Sequence, residues 1–79
     1  MPGDVANRLT RKLGLIQTPG SEAMRAFAMR VRELQKQGRT LDQAAIMAAT
    51  DKFPAEFKAT GYANSGEPIE PLITEIEKL

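Results

Sequence analysis

Apolar residues recur along this chain at helical intervals, and no run of 4–8 residues alternates convincingly in the manner of a strand. Val5, Leu9 and Leu13 follow one another at four-residue steps and share a face. They predict a first helix, with Asp4 as its N-cap and Gly14 as its stop. Arg8, Arg11 and Lys12 fall on the other side of it. Leu15 and Ile16 make a short apolar link. "TPGSE" at 18–22 then predicts a second helix start, with Thr18 capping and Pro19 at the first helical position, or with Ser21 as the competing cap. Ala23, Met24, Phe27, Val31 and Leu34 occupy an arc of about 100° on that helix. Gly38 ends it after Gln37.

"TLDQ" at 40–43 reads as a capping box, Thr40 capping and Gln43 reaching back, and predicts a third helix to Lys52. Pro54 keeps Phe53 out of the helical region and predicts a short fourth helix, "PAEFKAT", stopped by Gly61. "YANSGEP" reads as a loop. A last helix is predicted from Pro68 or Pro71 to the C-terminal end, with Ile69, Leu72, Ile76 and Leu79 as a heptad-like stripe and Ile73 alongside. The expectation is one all-α domain over 1–79, made of four to five short helices in an orthogonal or bundle-like arrangement.

The stretch "RVRELQKQGRTLDQAAIMAATDKFP" invites a helix-turn-helix reading, since two helices meet at a glycine. A recognition helix needs donors for bases and phosphates in its first turn. The helix after Gly38 presents Asp42 there, and its one basic residue, Lys52, is at the far end. Ala44, Ala45, Ala48 and Ala49 instead cover one broad side, with Leu41 continuing it, and small side chains allow a second backbone close. Ile46 and Met47 point away from that side. A helix apolar almost all round, with Gln43 and Thr50 as its polar strip, is expected at the centre of the domain or against a second subunit.

The composition narrows the chemistry. The chain has no cysteine and no histidine, which removes disulfides, thiolate zinc sites and the commonest general base. Phosphate-loop, dinucleotide and calcium-loop patterns are absent. No enzyme, metal or cofactor is expected. No apolar run approaches membrane-spanning length, and "MPGDVANRL" lacks a signal-peptide pattern, so the expected setting is cytoplasmic. Residues 41–62, an alanine-rich helix followed by Phe-Pro, a short helix and Gly-Tyr, resemble helical elements that recur in phage-related proteins.

Charge singles out the surfaces. The net charge is +1, yet residues 1–41 carry eight Lys/Arg against three Asp/Glu, while residues 42–79 carry three against seven. On the second helix Arg25, Met29, Arg32 and Lys36 form a stripe opposite Phe27 and Val31. Arg30 lies toward the edge of the inner face. With Arg8, Arg11, Lys12 and Arg39 the stripe would make a basic face if the first two helices lie side by side, one able to track phosphates. It equally suits an acidic protein surface, with Met29 as an adaptable apolar contact. The second candidate surface is the last helix, through Ile69, Leu72, Ile76 and Leu79. Phe53, Phe57 and Tyr62 are expected to form an aromatic cluster.

Taken together these features predict a small non-enzymatic accessory or inhibitory protein, of the kind carried by phages or plasmids, that acts by binding a protein partner. The alternatives are nucleic-acid binding through Arg8, Arg11, Lys12, Arg25, Arg32, Lys36 and Arg39, and a homo-oligomer with the third or last helix as its seam.

Overall fold

α1 spans Pro2–Leu13 and buries Val5, Ala6, Leu9 and Leu13, the face set by the four-residue spacing. Because the helix starts at Pro2, Asp4 sits in its first turn and not at the cap. There its carboxylate faces the positive end of the helix dipole. Gly14 takes a positive φ of 66°, which lets the Leu15 N–H reach back to the Thr10 carbonyl at 2.9 Å and closes the helix. Buried Leu15 and the Ile16 N–H, which donates to the Glu56 carbonyl at 2.9 Å, tie the following segment to the turn after the third helix.

α2 spans Ser21–Lys36. Neither Thr18 nor Ser21 caps it: the N-cap is Gly20, with no side-chain hydrogen bond, and Ser21 is already helical. Gly20 itself is extended, with φ −77° and ψ 167°, and the helix begins after it. The other end closes as a Schellman motif, in which Gly38 N–H donates to Gln35 O and Arg39 N–H to Leu34 O, both at 3.0 Å. Gly38 has φ 97°, a conformation that L side chains resist. The chain turns there directly into α3.

α3 spans Leu41–Lys52 and starts on the predicted capping box, with Gln43 N–H donating to Thr40 Oγ1 at 3.1 Å and Thr40 N–H to Gln43 Oε1 at 3.2 Å. Its four alanines are buried, and α3 packs chiefly on α2. It is therefore a flanking helix and not the central one. The alanine side satisfies a one-sided contact, and Ile46 and Met47 remain 39% and 38% exposed on the outer face. The central helix is α2, against which each of the other three packs.

After α3, Phe53 and Phe57 are buried, and the Phe53 ring stacks on Phe27 at 5.1 Å. Among the described residues the ring contact of Phe53 is thus with α2, not with Phe57. The expected fourth helix is, over its described part, a single turn closed by Phe57 N–H to Phe53 O at 2.7 Å. The computed structural model describes residues 2–57 and 67–79, so the rest of that segment, with Gly61 and Tyr62, lies outside the described residues.

α4 spans Ile69–Glu77 with Pro68 as N-cap. Pro71 falls in its first turn, where the missing N–H has no intrahelical partner to lose. Ile69, Leu72, Ile73 and Ile76 are all buried. α1 and α2 touch each other less than each touches α4, so α4 fills the groove between them. The described residues thus form four helices and no strand, around one apolar core that contains no buried polar or charged residue. The Cα radius of gyration is 11.1 Å.

Candidate functional site

The last helix carries its chemistry on the flanks of its apolar stripe. At about 100° per residue, Glu70 and Glu77 fall on one flank and Glu75 on the other. Seated in the groove, α4 therefore offers carboxylates to both walls. On the α1 side Arg8 Nε donates to Glu67 Oε2 at 2.7 Å and Arg8 Nη1 to Glu75 Oε1 at 3.0 Å, with Asp4 one helical turn away at 3.4 Å. On the α2 side Arg32 Nη1 and Nη2 donate to the two oxygens of Glu70 at 3.0 and 2.6 Å. Arg32 Nε and Nη2 also donate to the two oxygens of Glu77, each at 3.2 Å. The Gln35 side chain accepts a further bond from Arg32 at 2.9 Å.

These clusters shift the protonation equilibria in the direction that favours charge. Hydrogen bonding to Glu67 raises the Arg8 pKa; desolvation opposes it, and Glu75 adds to the rise. Hydrogen bonds to Glu70 and then Glu77 raise that of Arg32. The Arg32 hydrogen bond holds Glu70 below the usual glutamate range, against a smaller desolvation effect in the other direction.

Placed against this geometry, the sequence-derived surfaces separate. Arg8 and Arg32 are engaged with α4, and α4 stands between the walls that carry them. The continuous basic face expected from two helices lying side by side is therefore interrupted by acidic side chains. Arg11, Arg25, Lys36 and Arg39 are exposed, while Lys12 is half-buried. Among the described residues, Arg25 and Lys36 form no ion pair. Arg30 leans the other way, toward Asp51 of α3 at 3.6 Å.

The second expected surface moves indoors. Ile69, Leu72 and Ile76 pack in the domain's own core, because the groove between α1 and α2 already accepts the α4 stripe. Leu79, beyond the end of α4, is 39% exposed and is what remains outside. Met29 is the opposite case. It is 68% exposed on α2, between the free cations Arg25 and Lys36. Ile16, in the link after α1, is the other large side chain this open, and its exposure has no periodic signal in the sequence. Neither a pocket nor a group of acidic side chains able to hold a metal ion is present among the described residues. No helix is long and apolar enough to cross a membrane.

Compared with protein-family models, with curated proteins and with solved structures, the chain gives no match in any of the three.

Proposed function

We propose that this chain is a small non-enzymatic accessory or inhibitory protein that binds a protein partner through the outer face of α2. The observation that carries this reading is Met29. Met29 is a large apolar side chain left open between two cations that form no ion pair, and the core of a protein interface takes up such a side chain. The thioether adapts to irregular apolar contacts, and the flanking charges give direction to the encounter. The lack of histidine and cysteine supports a role without catalysis. A cytoplasmic setting goes with the same reading, supported by the absence of cysteine. The phage or plasmid origin rests on the resemblance of residues 41–62 alone.

Nucleic-acid binding is less well supported, since Glu70 and Glu77 lie beside Arg32 in the middle of the basic row. A photo-crosslinking residue placed at position 29, with a control at Thr50 on the outer face of α3, tests the proposal in cells of the source. A protein adduct from position 29, resistant to nuclease and absent from position 50, is the expected result. An adduct removed by nuclease, together with random-sequence DNA or RNA binding that collapses between about 50 and 200 mM salt, would replace it with the nucleic-acid reading. No adduct from position 29 would remove the α2 face as the binding surface.

A further inference from the structure

We infer that Met29 is an oxidation site of the folded chain, at which a peroxide makes the sulfoxide without disturbing the fold. The inference goes beyond the binding reading above and does not depend on it.

The first support is composition. The chain has four methionines and no cysteine, so every sulfur in it is a thioether. No thiol competes for the oxidant, and the methionine product is one that sulfoxide reductases reverse.

The second support is exposure. Met29 is 68% exposed, Met47 38% and Met24 1%, while Met1 lies outside the described residues. Met24 and Met29 share α2, but Met24 faces the core. A peroxide in solution reaches Met29 directly. It reaches Met24 only when the core opens, and the open fraction of a domain of ordinary stability is about 10⁻³ or less.

The third support is what the product meets. The thioether sulfur attacks one oxygen of hydrogen peroxide, the S–O bond forms as the O–O bond breaks, and the other oxygen leaves as water with both protons. The sulfur loses two electrons and the peroxide gains them. At Met29 the new polar group stays in solvent on the outer side of α2. At Met24 it would enter a core that, among the described residues, holds no polar side chain to bond it. Oxidation at Met29 therefore makes the row of Arg25, Met29, Arg32 and Lys36 wholly polar and leaves the core as it was.

The test is a time course of the full chain in hydrogen peroxide at neutral pH, with each methionine followed by peptide mass spectrometry. Met29 is expected to gain one oxygen first, Met47 more slowly and Met24 last. Helicity by circular dichroism should be unchanged once Met29 is converted, with the melting temperature moved by no more than about 4 °C. In denaturant the three rates should converge, and a sulfoxide reductase should restore the native mass. Met29→Leu should remove the fast step and leave the rate at Met47 unchanged. Oxidation of Met47 or Met24 as fast as Met29 in the folded chain overturns the inference. So does loss of helicity as Met29 converts, or the same order of rates in denaturant, which would assign that order to local sequence and not to the fold.

Discussion

Arg32 and Glu70 meet fork to fork. Two parallel hydrogen bonds of 3.0 and 2.6 Å join a residue of α2 to one of α4, 38 positions further along the chain. A bidentate pair has a defined geometry, so it favours one rotation and one axial position of α4 in its groove. Glu77, one flank position further on, shares the same guanidinium.

Arg32→Gln is expected to lower stability by about 1 kcal/mol, since it breaks a bidentate, networked pair that is still partly open to water. Chemical denaturation measures it. A double-mutant cycle with Glu70→Gln should return a coupling of about 0.5–1 kcal/mol. A coupling of zero would mean that the fork adds nothing beyond two solvated side chains.

The Glu70 carboxyl has a lowered pKa in the folded state, so its contribution is present above the ordinary glutamate value of about 4.3. That contribution is lost as pH falls through the lower folded value, because the unfolded chain takes up the proton first. Stability should therefore fall with decreasing pH below about 4, and Glu70→Gln should flatten that part of the profile. Thermal melts of both proteins across the acid range decide the matter; identical profiles would rule out this origin.

Ile76→Ala should cost about 2–5 kcal/mol, as a fully buried side chain in the α4 stripe. Domains of this kind have only about 5–15 kcal/mol in total, so the melting temperature should fall steeply. Ile76→Asp is expected to unfold the chain, as seen by circular dichroism. A folded Ile76→Asp variant would show that the stripe is not core.

Thr40→Ala removes the hydroxyl that accepts from the Gln43 N–H. A loss of about 1 kcal/mol is expected from denaturant unfolding. Gln43→Ala should cost less, because the Thr40 N–H it leaves is exposed to water.

Met29→Gln should leave stability within about 0.5 kcal/mol, since the side chain is mostly solvated. It should weaken the captured partner's binding severalfold in a direct affinity measurement. Unchanged affinity would place the contact elsewhere.

Several elements of the fold could be read from the chain directly. The ends of α3 follow from Thr40, Gln43 and Pro54, because caps and proline act through atoms within a few residues. The stop of α2 follows from Gly38 for the same reason. The buried faces of α1, α2 and α4 follow from apolar spacing at the helical period. The start of α2 falls at Gly20, between the Thr18 and Ser21 caps that the sequence offers, because no side-chain hydrogen bond marks it. The candidate site divides in the same way. The row from Arg25 to Lys36 is a property of one helix and is visible in the sequence. Its division into free and engaged cations depends on where α4 docks.

By itself, the sequence determines local matters: that the chain is helical, where most of the helices end, which faces of α1, α2 and α4 are apolar, and that acidic residues gather in the second half. These rest on backbone preference, capping and periodicity, all short-range. Tertiary structure alone decides that α2 and not α3 is central, that the α4 stripe is core, and that Arg8 and Arg32 are occupied while Arg25 and Lys36 are not. Those outcomes turn on which helix fills the groove between α1 and α2. Apolar stripes attract one another without direction, and the flanking carboxylates that meet arginines far away in the chain add direction to that contact.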